Sequence, residues 1–190
     1  MSISLQADNT LAQGYIKVNG TTAATVTATG IGPATSLVSG IISAQAALKT
    51  DTQVANTGAG TETDITGLSL SVIVPTSTAK VLLLGYLTQS GLYAGYRIKR
   101  NGTDVALGDA ASTRTRVLIS GGFEQYNGYP TKTIPLNFLD TPNAAGTYTY
   151  KVTAVCSFSS YSPTINIGAA DTDATYCIRG TSQLIALVIP

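Results

Sequence analysis

From about residue 58 onward the chain alternates apolar and polar residues with a period of two, and this limits its possible folds more than any other feature. In "TYTYKVTAVCSF" (147–158), Tyr148, Tyr150, Val152, Ala154 and Cys156 fall on one face of an extended strand. "TDITGLSLSVIVP" alternates up to Pro75, and "AKVLLLGYLTQ" (79–89) reads as a nearly continuous buried strand. "RTRVLIS", "KTIPLNFLD", "PTINIG", "ATYCIR" and "SQLIALVIP" extend the series. Eight or more short strands, broken by turn residues and with no helices between them, predict an all-β sandwich over 58–190. A jelly roll is the leading topology for that strand count.

Two hairpins share one core. "GYIKVNGTTAATVTATG" (14–30) and "GYRIKRNGTDVALG" (95–108) both contain Ile-Lys-x-Asn-Gly-Thr. Asn-Gly tolerates positive φ at both central positions, as a type I′ turn requires. Neither hairpin carries a catalytic group, so both read as scaffolding.

Residues 1–35 read as an extended N-terminal β arm that breaks at "GIGP" (30–33). The stretch "SLVSGIISAQAALKT" (36–50) is the one candidate helix, because Leu37, Ile41, Ala44 and Leu48 are spaced four, three, four. Residues 36–57 are therefore expected to form a short helical linker, either a seam joining three chains or a segment packed on its own domain. At the other end, Leu184, Ala186 and Val188 alternate with Ile185, Leu187 and Ile189, so both faces of the last strand are apolar. Such a strand must be covered on both sides, within the sandwich or by a neighbouring subunit. Leu184 and Leu187 join the seam residues as candidate self-association positions.

Charged residues make up 11% of the chain, against about 25% in ordinary soluble domains. The net charge is +1, and no basic run exceeds "RIKR" (97–100), which excludes the basic stripe that nucleic-acid binding needs. The start, "MSISLQADNT", does not read as a signal peptide, so a chain made without export is expected. The longest apolar runs, "VLLLGYL" and "LIALVIP", fall short of the ~18 residues a membrane helix needs, and no membrane partner is expected.

There is no histidine, which excludes serine–histidine and cysteine–histidine catalysis. Most of the acidic residues stand in turn contexts such as "NGTD", "LGDA" and "LDTP", where Asp bonds the local backbone. "DTDAT" (171–175) lacks the glycine and distal glutamate of a calcium loop. No metal, cofactor or catalytic residue is expected. Cys156 and Cys177 lie in alternating segments and read as two buried thiols, with a disulfide as the alternative. Of the ten tyrosines, Tyr86, Tyr93, Tyr96, Tyr126, Tyr129 and Tyr161 either fill the core and interfaces or present rings to a sugar. "GGFEQYNGYP" (121–130) makes Tyr126 and Tyr129 the candidate glycan contacts.

The order of several pieces resembles a widespread β-sandwich module at the ends of tail-fibre and other virion proteins of tailed phages. These pieces are "TDITGLSLSVIVPTSTAKVLLLGYL", the hairpin "YRIKRNGTDVALGD", the turn and strand "IPLNFLDTPNAAGTYTYKV", and the closing "TSQLIALVIP". The upstream "GYIKVNGTTAATVTATGI" is similar to a short β element that often precedes such modules. Pro190 departs from the usual ending, which carries an acidic residue where Val188 or Ile189 stands. The resemblance implies a jelly-roll-like homotrimer without enzymatic activity that forms part of the virion. A short arm on a small sandwich suits a capsid decoration protein or head fibre. In that case Tyr15, Ile16, Val18 and Val26 of the arm would contact the major capsid protein. The alternative is a distal tail fibre that recognises host glycans.

Overall fold

A computed structural model describes residues 3–8, 13–18, 21–27, 30–33, 40–55, 58–91, 93–121, 131–158, 161–168, 171–175 and 177–190. The chain divides into two compact units, Met1–Ile42 with Pro190, and Ser43–Ile189.

The first unit is a four-stranded antiparallel sheet in the order β1-β2-β3-β4: β1 (Ile3–Asp8), β2 (Gln13–Val18), β3 (Thr21–Thr27) and β4 (Gly30–Pro33). The predicted hairpin is its centre, with Val18 opposite Thr21 across a two-residue connection. The arm candidates Tyr15, Ile16 and Val18 lie on β2 and Val26 on β3.

The second unit is the sandwich. Its strands are β5 (Ser43–Lys49), β6 (Gln53–Val54), β7 (Glu62–Val74), β8 (Lys80–Ser90), β9 (Ala94–Arg100), β10 (Thr103–Asp104), β11 (Ile119–Ser120), β12 (Lys132–Asp140), β13 (Gly146–Cys156), β14 (Thr164–Ile165) and β15 (Ser182–Ile189). One layer runs β5-β15-β8-β12, with β14 and β6 continuing it past the end of β15. The other runs β7-β13-β9-β10, with β11 also on β9. Successive long strands alternate between layers, the strand order of a jelly roll.

The core lies between the layers, where the alternation predicted it. Leu68, Leu70, Val72 and Val74 of β7 meet Val81, Leu83 and Leu87 of β8, Tyr150 and Val152 of β13, and Leu184, Ala186 and Val188 of β15. The second hairpin turns as expected: Arg100 pairs with Thr103, and Asn101 (φ 49°) and Gly102 (φ 86°) both take the left-handed region. Asn101 also accepts the Thr149 N–H on Oδ1 at 2.8 Å, fixing the turn to β13.

Three expectations are corrected. The described residues contain no helix: Ser43–Lys49 is a strand, paired with β15 from Ser182 opposite Lys49 to Val188 opposite Ser43. Ala44 and Leu48 are four apart and share a strand face as readily as a helix face, so the free hydrogen-bonding edge of β15 decided the outcome. The sandwich unit consequently begins at Ser43, inside the stretch expected to be a linker. "ATYCIR" forms no strand among its described residues, and Cys177 is half-buried rather than buried. Neither cysteine is in a disulfide, and the buried Cys156 thiol donates to the Phe158 carbonyl.

Asp140 is the principal polar tie between the layers. It ends β12 on the inward register of Ile134, Leu136 and Phe138, and it is almost fully buried. Arg100 Nη1 of the other layer reaches both its oxygens at 3.0 and 2.9 Å, and the Tyr150 hydroxyl donates to it at 2.5 Å. The same guanidinium lies 5.6 Å over the Tyr148 ring. Burial, then the Asp140 carboxylate, push the Tyr150 phenol far above its ordinary range. Replacing Asp140 leaves both donors unpaired at the layer boundary. Asp140→Ala should cost about 2–4 kcal/mol in urea unfolding, whereas Tyr150→Phe should cost about 1 kcal/mol.

Candidate interaction surfaces

The two outward faces of the sandwich differ in chemistry. On the β7-β13-β9-β10 layer, Ser69, Ser71, Thr149, Lys151, Arg97 and Lys99 point outward, together with Ile73, which is 70% exposed. The charges there neutralise one another. Glu62 lies 3.3 Å from Arg97 and 3.0 Å from Lys99, Asp104 lies 3.0 Å from Lys99, and Lys151 lies 2.7 Å from Asp64. Thr153 donates its hydroxyl to Glu62. Glu62, Asp64, Asp104 and Asp140 are therefore engaged in side-chain ion pairs, although the turn contexts of Asp104 and Asp140 predicted backbone bonding.

Partial burial alone would raise the Glu62 carboxyl. The Thr153 hydroxyl and the Lys99 and Arg97 cations overcome it and hold Glu62 below its ordinary value. Burial likewise opposes the Lys99 ammonium, but Glu62 and Asp104 raise it. A depressed carboxyl stabilises the fold above its unfolded-state pKa, and that contribution disappears as pH falls through the folded value. The raised Lys99 stabilises below its unfolded value, and that contribution is lost as pH rises through the folded one. Glu62→Gln should thus cost about 0.5 kcal/mol at neutral pH, and the deficit should vanish as pH falls through the depressed Glu62 value. Urea titrations at several pH values measure both.

On the β5-β15-β8-β12 layer the outward residues form rows across the strands. Leu48, Gln183, Tyr86 and Pro135 stand in one row, and Ala46, Ile185, Leu84 and Asn137 in the next. Ala44, Leu187, Leu82 and Leu139 make the third. None of these residues is charged. Leu48 is 56% exposed and Leu139 46%, at the two margins, while the residues between them are shielded in part by one another. At ~4.8 Å between strands and ~3.4 Å per residue, the three rows span roughly 300–400 Å². A face of that size is within the range of the largest apolar patch on an ordinary monomer, which is often functional, and it is therefore a candidate interaction surface.

The predicted association residues now separate. Leu184 is 0% exposed and belongs to the core, which removes it from the surface candidates. Leu187 faces outward in the third row, and Ala44 and Leu48 stand beside it on β5. Ile41 is 59% exposed and falls in the first unit. Leu37 lies outside the described residues. The two inward and outward leucines of β15 give a direct test. Leu184→Ala should cost about 3 kcal/mol in urea unfolding, whereas Leu187→Ala should cost under about 1 kcal/mol at concentrations low enough to hold single chains.

A third region is the end of the sandwich where β8 passes to β9. Tyr126 and Tyr129 lie outside the described residues. The Gly121 N–H donates to the Ala94 carbonyl at 2.8 Å, and Lys132 pairs with Gln89. Buried Gln89 donates to the Gly121 carbonyl at 3.0 Å and accepts from the Tyr96 hydroxyl at 3.1 Å. Asn166 anchors the long connection into β15: its amide donates to the carbonyls of Lys49 and Asp51, and it accepts from Ser182 at 2.6 Å. At this end the rings of Tyr93 and Tyr161, both among the tyrosines that could face a sugar, pack together with the ring of Phe158. On the β14–β15 connection, Asp171, Asp173, Cys177 and Arg179 line a hollow of about 500 Å³, and Arg179 is bonded to Asp171 at 2.9 and 3.1 Å. Among the described residues no group of three or more Cys, Asp or Glu is placed to hold a metal ion.

No protein-family model matches the chain, and no curated protein sequence matches it. Two solved structures align with it loosely. One is of the infectious bursal disease virus Gx strain, at 13% identity and a TM-score of 0.41, covering 93% of this chain and 48% of that one. The other is the VP2 subviral particle of infectious bursal disease virus, at 11% identity and a TM-score of 0.35, covering 94% and 47%. The chain spans about half the length of either. At these values the likeness adds nothing to the fold, and the jelly roll rests on this chain's own strand order.

Proposed function

We propose that the protein is a non-enzymatic structural component of a phage virion. In this reading it is a homotrimeric capsid decoration protein or head fibre, joined through the outer face of the β5-β15-β8-β12 layer and bound to the major capsid protein through its N-terminal unit. The observation that carries the reading is the chemical contrast between the two sheet faces. One is polar with its charges paired, apart from Ile73 on the edge strand β7, which is 70% exposed, and the other is an uncharged, mostly apolar surface centred on Leu82, Leu84, Ile185 and Leu187. Around a threefold axis the same face of two further copies is a chemically matched cover, because none of them brings a charge to desolvate.

The first unit supports the capsid half of the proposal. Its described strands form one sheet with no second layer in the unit itself, and a sheet is stable only when a second layer covers one face. The roughly 300–400 Å² of the apolar face is about half of what each partner contributes to a stable interface, so further contacts must complete the assembly. The particle shell supplies them in this reading, with Tyr15, Ile16, Val18 and Val26 at the contact. The low charge of the chain agrees with a surface hidden in this way.

A distal tail fibre that recognises host glycans is the second reading, favoured by the exposed ring cluster of Tyr93, Phe158 and Tyr161.

Two experiments test the proposal. Sedimentation equilibrium of the full chain should give three times the 19.5 kDa chain mass, and the double variant Leu82→Asp, Leu187→Asp should sediment as single folded chains. Removing residues 1–35 should leave the trimer intact and abolish binding to purified capsids. A truncated protein that still decorates capsids would contradict the role of the first unit, and label found at the tail tip of imaged virions would favour the second reading.

A further inference from the structure

We infer that the cluster of Tyr93, Phe158 and Tyr161 is a carbohydrate-binding platform that takes the apolar C–H face of a neutral hexopyranose. The inference does not depend on where in a virion the protein sits. Tyr93 stands in the connection between β8 and β9, and Phe158 and Tyr161 follow the end of β13. The ring centroids are 5.4 Å apart for Tyr93 with Phe158, 5.4 Å for Tyr93 with Tyr161, and 5.9 Å for Phe158 with Tyr161. Yet Tyr93 is 53% exposed and Phe158 52%. Rings that pack on one another while keeping half their surface in water are not there to fill a core.

The backbone gives an independent indication. Tyr93 has φ 55°, in the left-handed region that a bulky side chain enters only at a cost. Glycine or asparagine would occupy that position without the strain, so the ring is held there against a local preference. An observed outlier of this kind at an exposed aromatic residue points to function. Hydrogen bonds then fix the arrangement. The Ser157 N–H donates to the Tyr93 carbonyl at 3.2 Å, and the Tyr161 N–H donates to the Phe158 carbonyl at 3.3 Å. A ligand meets rings that are already positioned, which lowers the ordering cost of binding.

The chemistry of the cluster selects the ligand class. These residues carry no formal charge, so they offer no counter-charge to a phosphate or a carboxylate. Centroids within 6 Å of one another leave no room between the rings for the ammonium group that an aromatic cage would enclose. What remains is exposed ring surface bordered by the Tyr93 and Tyr161 phenols and the Ser157 hydroxyl. A pyranose has the matching shape, with a C–H face for the rings and hydroxyls at its rim.

Saturation-transfer NMR with the full chain tests this, using the methyl glycosides of glucose, galactose and N-acetylglucosamine as probes and a proline-rich peptide as competitor. At least one glycoside should receive saturation on its ring C–H protons. Phe158→Ser and Tyr93→Ser should each weaken its binding by about tenfold, while Ile73→Ser, on a distant sheet face, should leave it unchanged. Retained strand signal in circular dichroism would show that the variants fold, and Phe158→Tyr, which keeps the ring, should restore binding if Phe158→Ser is unstable. No transfer to any glycoside, transfer undiminished in both serine variants, or binding of the peptide alone would overturn the inference.

Discussion

The β8–β15 pair at the centre of one layer is apolar on both faces, and the rest of the molecule follows from that. A sandwich closes only one face of each sheet. Val81, Leu83, Leu184, Ala186 and Val188 are satisfied inside it, but Leu82, Leu84, Ile185 and Leu187 are not. The opposite layer solves the same problem with serine, threonine and mutually neutralised charges, so the chain does make a solvent face where one is needed. The apolar face is therefore a property of this layer in particular, and in the proposed reading self-association completes it.

Polar contacts elsewhere are few and concentrated. Asp140 binds Arg100 and Tyr150 across the layers at one end of the sandwich, while Gln89 and Asn166 fasten connections at the other. Each is buried, and each satisfies several backbone or side-chain groups at once, so these contacts fix geometry more than they add stability. The connections they fasten bring together rings from residues 93, 158 and 161. A rigid sandwich with positioned connections at one end and an apolar face along one side keeps those two surfaces apart.

Much of this was legible in the sequence. Period-two alternation assigned the inward residues of β7, β8, β13 and β15, and Asn101-Gly102 identified its hairpin. The inward parity of Asp140 with Ile134 and Leu136 was also readable, and a carboxylate on a core register implies a buried cation. Turn chemistry at "LDTP" drew attention away from it. The β5 strand was missed because positions four apart share a face in a helix and in a strand alike, and only the unpaired edge of β15 distinguishes them. Tyr93 and Tyr161 were legible as rings that could face a sugar, but their meeting with Phe158 was not, since it joins residues more than sixty positions apart through the pairing of β9 with β13.

The central claim is that copies of this chain cover the outward face of β15 and β8. Hydroxyl-radical footprinting across a dilution series measures that coverage residue by residue. The account predicts that oxidation of Leu82, Leu84, Ile185 and Leu187 falls as protein concentration rises, while Ile73 on the other layer is oxidised equally throughout. Oxidation of those four residues that stays the same at every concentration would contradict it.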